Sequence, residues 1–406
     1  MYLSTTDRPR TLGWKGVSGN VLALGAVSLI TDMSSEMVTA VLPLYLVVGL
    51  QFSPAAYGVV DGLYTGATTL LRLVGGFVAD LTDRRKAVAG LGYGLSAVAK
   101  LGLLATSAAG IGAAIAVDRA GKGLRTAPRD ALITLSTHAD DLGRAFGVHR
   151  AMDGAGAFLG PLVALAVLAA AGQSFDSVFV TSACVAALGV VVLVLFVRDH
   201  REARATEPAR PEPVRPRAVG PLLRDGGVRR VVAAAVLLGL AMVGDGFVYL
   251  LLQQREGLSL GWFPLLAVGT SLVYLLLAAP LGALADRVGR LPVVLGGYAL
   301  LVLVHLLLSG PLGGWPLVGL VLLLYGAFYA ATDGVLIALA GPVLPARLRA
   351  TGIALVQSGQ ALAYLGSSVL FGLAWQHFGP EAASWIAAAG VALALVGTAA
   401  LLGRRS

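Results

Sequence analysis

Twelve apolar runs divide this chain, and each is long enough to cross a lipid bilayer as one α-helix. About 18 or more apolar residues suffice to span a hydrocarbon core about 30 Å thick. The runs cover about residues 20–48, 56–79, 87–108, 111–133, 147–171, 176–198, 229–252, 262–285, 291–309, 316–339, 351–375 and 382–402. Only 13% of the 406 residues are charged, against roughly 25% in a soluble domain. The sequence therefore predicts an all-α membrane protein with twelve transmembrane helices.

A sequence repeat relates the second apolar run to the eighth. Both runs end in the pattern Gly-x-x-x-Asp-x-x-x-Arg. The matching residues are Gly76, Asp80 and Arg84 in the first copy and Gly282, Asp286 and Arg290 in the second, 206 residues later. Gly154 and Gly359 also lie 205 residues apart. A duplicated membrane unit is how many secondary transporters are built, so the repeat predicts two related six-helix halves and a transport function.

The basic residues are placed asymmetrically between the predicted loops. Lysine and arginine concentrate in alternate loops, whereas the loops of the opposite side hold essentially one, Arg255. Because basic loops stay on the cytoplasmic side, this predicts a multi-pass protein of the inner (cytoplasmic) membrane with both termini in the cytoplasm. The net charge of +8 then reflects topology and does not indicate a nucleic-acid partner.

One long polar segment, 198–228, separates the two sets of six runs. It is rich in proline and arginine, which predicts an extended cytoplasmic linker. The predicted organisation is an N-terminal six-helix bundle over 1–197, this linker, and a C-terminal six-helix bundle over 229–406.

Twelve predicted helices, a central basic linker and a doubled motif together resemble the major facilitator superfamily over the whole chain. The superfamily's signature between helices 2 and 3 has a basic residue after the aspartate and a glycine three positions after that aspartate. The second copy fits it with Arg287 and Gly289, whereas the first has Leu81 and Asp83. The resemblance implies two pseudo-symmetric bundles that rock about a central site, and a gating role for both copies of the motif. The alternative is that both copies only anchor tight turns.

The fifth run contains Gly156-x-x-x-Gly160-Pro161, which is similar to a signature of proton-coupled exporters in that superfamily. The usual following Gly-Gly is replaced by Val163-Ala164. The resemblance implies export of the substrate. Glycines four residues apart also allow two helices to pack closely, so a packing role is the alternative.

Ionisable residues inside the predicted helices are the main candidates for function, since each costs at least about 2.5–3.5 kcal/mol to insert. The N-terminal half contains Asp32, Glu36, Asp61, Arg72, Lys100, Asp118, Arg119, Lys122, Arg125, Arg129, Asp130, Arg150 and Asp153. The C-terminal half offers chiefly Asp245, Asp333 and the polar Gln357. In helix 4, Asp118, Lys122, Arg125 and Arg129 follow helical spacing and form one polar stripe.

Two functional interpretations compete for these charges. In the first, Asp32 and Glu36 titrate protons and pair with Arg119 or Lys122, and Arg119 resembles the superfamily's proton-coupling arginine. In the second, the helix 4 cations bind an anionic substrate. A salt-bridge network that only fixes helix packing is the third possibility. We assign Asp32, Glu36 and Arg119 to proton coupling. Those expected to line the substrate cavity are Lys100, Lys122, Arg125, Arg150, Asp153, Asp245, Asp333 and Gln357.

The sequence thus predicts a secondary transporter, not an enzyme, that exports a small organic molecule in exchange for protons by rocking-type alternating access. Uptake or exchange of an organic anion is the alternative. We expect no cofactor beyond the proton gradient and no metal site. The expected partners are a small-molecule substrate, protons and the lipid bilayer, with no nucleic acid, and we expect a monomer.

Overall fold

The computed structural model describes residues 17–66, 84–105, 107–138, 141–199, 224–333, 343–344 and 349–403. All regular secondary structure in these ranges is helical, which confirms the predicted all-α class. Within them, nine helical spans are long and apolar enough to cross a membrane. The predicted linker lies mostly outside the described residues, as do Gly76, Asp80 and Arg72.

The helices follow the predicted apolar runs. Those of the first half are α1 (Gly19–Thr39), α2 (described over 54–66), α3 (Arg85–Leu101), α4 (Ala108–Leu135), α5 (Leu142–Ala170) and α6 (Phe175–Phe196). Those of the second half are α7 (Gly226–Leu240), α8 (Phe263–Val288), α9 (Arg290–Ser309), α10 (Gly314–Thr332), α11 (Arg349–Phe378) and α12 (Pro380–Leu402).

Several helices begin at a side chain that caps their first turn. The hydroxyls of Ser18, Ser107 and Ser174 accept hydrogen bonds from backbone N–H groups at the starts of α1, α4 and α6. The carboxylate of Asp225 accepts two such bonds at the start of α7. These caps satisfy backbone donors that have no partner within the helix, and they fix where each apolar run becomes helical.

The two halves repeat one packing scheme. In the first half α1 packs against α5 and α6, and α3 packs against α4 and α6. In the second half α7 packs against α11 and α12, and α9 packs against α10 and α12. These are the same pairs after a shift of six helices, so the structure agrees with the duplication inferred from the sequence.

Two spans predicted as continuous helices are interrupted in the middle. The first stops at Thr39, includes a short helix at Leu42–Leu44 with Pro43 inside it, and ends in a π-helical turn at Tyr45–Gly49. The span of α7 stops at Leu240 and resumes as a separate helix at Asp245–Glu256. Each half thus has a break in its first span, and interrupted helices often build the binding sites of transporters.

Glycines of α5 form the close contact with α1. A side chain at Gly156 would meet the backbone carbonyl of Leu29, and one at Gly160 would meet the carbonyl of Met33. Since no side chain stands between the two backbones, these helices approach as glycine pairs in membranes allow. The glycine motif of helix 5 therefore has a packing role, whatever else it does.

The second copy of the repeated motif forms the turn between α8 and α9. Gly289 joins the two helices with φ +97° and ψ 149°, a conformation that is essentially restricted to glycine. Asp286 and Arg287 are exposed beside it. In the first copy Asp83 occupies the equivalent place and lies outside the described residues.

Candidate functional site: a central acidic cavity

A cavity of about 530 Å³ lies between the two halves. Its wall includes residues of α1, α2 and α5 from the first half and of α8, α10 and α11 from the second. Residues of both helix breaks also contribute, among them Leu42 and Pro43 on one side and Asp245 and Gly246 on the other. A pocket of about 300–1,000 Å³ suits a small organic molecule.

Carboxylates are the charged groups of this wall. They are Glu36, Asp61, Asp245 and Asp333. Within the described part of the chain, no lysine, arginine or histidine lines the cavity. The wall is therefore acidic, although the N-terminal half of the chain, which contributes most of it, is rich in lysine and arginine.

Tyrosines form much of the remaining polar surface of the cavity. Six of them line it, namely Tyr57, Tyr64, Tyr249, Tyr274, Tyr329 and Tyr364. Tyr57 packs edge-on against Phe247, with 4.7 Å between ring centroids. Tyrosine combines an aromatic ring with a hydroxyl group, a combination that suits an amphipathic ligand.

Asp61 joins the two halves at one edge of the cavity. Its carboxylate, on α2, accepts hydrogen bonds from the hydroxyls of Ser368 (2.6 Å) and Tyr364 (2.8 Å) on α11. The same two helices touch through glycines, since a side chain at Gly58 would meet the backbone carbonyl of Ser368. Asp61 thus lies in a tight seam between the halves and faces the cavity.

Asp245 faces the same cavity from the break after α7. Its carboxylate accepts a hydrogen bond from the hydroxyl of Tyr329 (2.5 Å) and a long one from Tyr325 (3.5 Å). A side chain at the preceding Gly244 would meet the carboxylate of Asp61. The two acids therefore come close across the seam, and glycine at 244 makes this approach possible.

Behind the wall, Asp118 of α4 binds two cations at once. It pairs with Arg119, with Lys100 of α3 at 3.3 Å, and accepts a hydrogen bond from Ser96. Arg119 also donates to the hydroxyl of Tyr64 (2.8 Å), and its guanidinium lies 3.5 Å from the centre of that ring. Arg119 and Lys100 are buried, and Arg119 contacts the cavity wall through Tyr64.

A second buried network joins α1, α4 and α5. Arg125 pairs with Asp32 at 3.3 Å and lies over the ring of Tyr93. Arg129 lies 3.0 Å from Asp130 and 3.8 Å from Asp153. Asp153 Oδ1 is buried and accepts no hydrogen bond from the described residues.

The ion pairs differ from those expected for Asp32 and Glu36. Asp32 pairs with Arg125, and Arg119 pairs with its own neighbour Asp118. Glu36 lines the cavity, and in the described part of the chain no ion pair or hydrogen bond engages its carboxylate. The charges of Lys122 and Arg119 nevertheless act on Glu36. Asp32 thus takes its partner from a different turn of α4 than expected, whereas Arg119 takes its partner from its own helix.

The predicted cavity residues divide into two groups. Asp245 and Asp333 line the cavity, and Asp333 accepts a hydrogen bond from Tyr274 at 3.0 Å. Those that do not line it in the described structure are Lys100, Arg125, Lys122, Asp153, Arg150 and Gln357. The first two are fully engaged in ion pairs behind the wall, while Arg150 is exposed.

The predicted gating residues show less. Arg84 is exposed immediately before α3, and Asp286 is exposed at the end of α8. A side chain at Gly282 would meet open space, so close packing does not require this glycine. The gating role of both copies stays a prediction.

Two acids that the sequence analysis did not assign to a site, Asp61 and Asp118, are central to this one. Both carry the general signal of a charge at membrane depth, but nothing local distinguishes them from their neighbours. The tyrosines of the wall carry no such signal, because single tyrosines in apolar runs are ordinary. Among the described residues, no cluster of histidine, cysteine, aspartate or glutamate could hold a metal ion.

Two six-helix bundles with one packing scheme and a polar cavity between them are the architecture of a secondary transporter. The family model of the Major Facilitator Superfamily matches residues 24–270 and 256–406. This chain therefore belongs to the Major Facilitator Superfamily, as its motifs suggested, and is a multi-pass integral membrane protein.

Similar proteins agree with this assignment. An uncharacterised MFS-type transporter of Methanocaldococcus jannaschii is 30% identical over 373 residues, covering 89% of each chain. The crystal structure of the nucleoside transporter NupG superposes with a TM-score of 0.79 at 13% identity, covering 95% of this chain and 99% of that one. A D-xylose-proton symporter superposes with a TM-score of 0.69 at 16% identity, covering 94% and 96%. At such identities the two structures show the fold alone.

Proposed function

We propose that this protein exports a small organic molecule from the cytoplasm in exchange for protons, by rocker-switch alternating access. The observation that carries proton coupling is the buried Oδ1 of Asp153, which accepts no hydrogen bond from the described residues and lies 3.8 Å from Arg129. A buried carboxylate that lacks hydrogen-bond donors is costly to keep ionised, so it readily takes up a proton. In the proposal Asp153 and Asp32, which belong to the same network, hold the transported proton as a pair.

The surroundings suit such a proton site. Arg125 lies 3.3 Å from Asp32 and Arg129 lies 3.8 Å from Asp153, so the arginines balance the negative charge that remains. Arg129 is also paired with Asp130, which leaves its charge shared between two acids. Small movements of α4 against α1 and α5 would therefore change how strongly the pair holds its proton.

The proton site is connected to the cavity through α1. Asp32 and Glu36 are one helical turn apart, so they lie on the same side of the helix, and Glu36 lines the cavity. The charge of Lys122 acts on both. A proton gained or lost at Asp32 thus changes the electrostatic field on Glu36 across a short, buried distance.

The proposed direction rests on the helix 5 resemblance and on the closed seam. By the predicted topology, the contacts of α2 with α11 lie at the outer end of the bundle, where Gly58 and Gly372 meet opposing backbone carbonyls. A cavity sealed at that end is closed to the outside in this state, and this is the state in which an exporter takes up its substrate. The alternative of anion uptake needs free cations at the wall, whereas Arg119 and Arg125 are paired with carboxylates behind it.

Transport assays in proteoliposomes test the proposal with a panel of labelled methyltriphenylphosphonium, uridine, xylose and succinate. Vesicles are loaded with one compound and the external medium is acidified. We expect accelerated efflux of at least one compound, abolished by a protonophore and absent from empty liposomes. Acid-driven uptake would contradict the direction, and flux of every transported compound that ignores the gradient would contradict proton coupling.

Two neutral variants locate the proton site. Asp32→Asn and Asp153→Asn should each abolish gradient-driven flux while leaving exchange of the same compound without a gradient. The exposed Asp176 at the start of α6 provides a matched control, Asp176→Asn, which should behave as the unsubstituted protein. Unchanged coupling in both variants would remove the carboxyl pair from the mechanism.

A further inference from the structure

Acidic and basic side chains occupy different places around the cavity. Four carboxylates line it, and no cation of the described residues does. Of the nearby cations, Lys100 and Arg119 are held behind the wall by Asp118, and Arg125 by Asp32. Lys122 does not line the cavity, although its charge acts on Glu36. A ligand entering this cavity therefore meets negative charge first.

Among the described residues, the two acids of the seam have no cationic partner. Asp61 is bonded to the hydroxyls of Ser368 and Tyr364, and Asp245 to those of Tyr329 and Tyr325. Hydroxyl groups satisfy the hydrogen bonds of a carboxylate but do not neutralise its charge. A buried charge without a counter-ion is costly, and a ligand that supplies the opposite charge removes that cost.

The tyrosines complete the same chemistry. Tyr57 and Tyr364 line the cavity beside Asp61, and Tyr329 lines it beside Asp245. The face of an aromatic ring attracts cations within about 6 Å of its centre, and most strongly when water is excluded. Acids and aromatic side chains on one wall favour a positively charged molecule with an apolar or aromatic body.

We propose that the cavity binds organic cations, and that Asp61 and Asp245 together form the counter-charge on either side of the seam. The inference rests on the proposed function, because it names the class of substrate that the exporter carries. A cation between these two acids contacts both halves of the protein at once. Its binding then competes with the bonds from Tyr364 and Ser368 to Asp61, which hold the seam closed.

Three triphenyl probes of similar shape and different charge test the inference on the unsubstituted protein in lipid nanodiscs. They are methyltriphenylphosphonium, triphenylphosphine oxide and triphenylacetate, carrying one positive, no and one negative charge. Binding of labelled methyltriphenylphosphonium is measured directly and by competition. We expect the neutral probe to compete at least about tenfold more weakly than the cation, and the anion more weakly still. Equal or stronger competition by the neutral or anionic probe would overturn the inference.

Substitutions assign the counter-charge to its residues. Asp61→Asn and Asp245→Asn should each raise the Kd of methyltriphenylphosphonium at least about tenfold and change that of the phosphine oxide little. The control Asp176→Asn should leave both unchanged. Unaltered cation affinity in both seam variants would refute the assignment, and the probe series on the unsubstituted protein decides the charge preference even if a variant fails to fold.

The two proposals fail in distinguishable ways. If acid-driven efflux is found for uridine or xylose while the phosphonium neither binds nor moves, the cation inference is wrong and the exporter stands. If the phosphonium binds through Asp61 and Asp245 but no panel compound responds to the gradient, the binding site stands and proton-coupled export is wrong.

Discussion

Replacing Asp118 with asparagine should destabilise the protein strongly, because this one carboxylate serves two buried cations. Lys100 lies 3.3 Å away, Arg119 is its direct neighbour, and both are at most 4% exposed. Asparagine keeps the size of the side chain and its contact with Ser96 but removes the charge. Both cations then remain at membrane depth without a counter-ion.

The expected cost is about 3–5 kcal/mol, the usual penalty for breaking a buried ion pair from one side. Such a loss should lower the melting temperature of the purified protein by at least about 3 °C. The melting temperature is measured in detergent from the change in tryptophan fluorescence. The double variant Asp118→Asn with Lys100→Gln should recover part of this loss, because it removes one of the orphaned cations. A double-mutant cycle therefore separates charge from packing.

Two results would refute this reasoning. If Asp118→Asn has the same melting temperature as the exposed control Asp176→Asn, the ion pairs of Asp118 contribute nothing to stability. If the stability loss of the double variant equals the sum of the losses of Lys100→Gln and Asp118→Asn, the two side chains act independently. The ion pair then makes no contribution of its own.

Three glycine substitutions test the geometry of the helices. Gly160→Leu should destabilise the protein by about 1–3 kcal/mol, because it forces α5 from the α1 backbone; Gly147→Leu, on the open side of α5, should cost little in the same melting assay. Gly289→Ala should cost about 1–3 kcal/mol because of its φ of +97°, whereas Gly282→Ala, in open space on α8, should be neutral or slightly stabilising. Gly58→Val should widen the α2–α11 seam, seen as a longer distance between spin labels on these helices; an unchanged distance would contradict the contact.

Hydropathy and duplication were enough to predict the fold. Apolar runs report burial in lipid directly, since a helix is the only single-segment way to satisfy backbone groups there. They could not reveal the breaks after Thr39 and Leu240. Glycine and proline also occur within unbroken helices of this chain, such as Gly156 and Pro161 in α5, so only the neighbouring helices decide where a span is interrupted.

The site was harder to predict than the fold. The spacing of Asp118, Lys122, Arg125 and Arg129 placed them on one stripe of α4, and in the structure three of the four form ion pairs. Their partners come from α1, α3, α5 or α4 itself, and the order of helices around the bundle cannot be read from one helix. Asp61 and Asp245 are brought together only by the contact between the two halves.

In the proposed cycle, α1 connects two regions, the network of paired charges and the acidic cavity. One turn of α1 carries Asp32, which faces the network, and the next carries Glu36, which faces the cavity. An exchanger must make proton and substrate exclude one another, and a cation in the cavity repels a proton bound one turn away. The coupling between two binding sites is reciprocal, so protonation of the Asp32–Asp153 pair must weaken binding of the cation by the same factor. Proton and cation can therefore oppose each other's binding without sharing a residue, because their two sites lie one turn apart on the same helix.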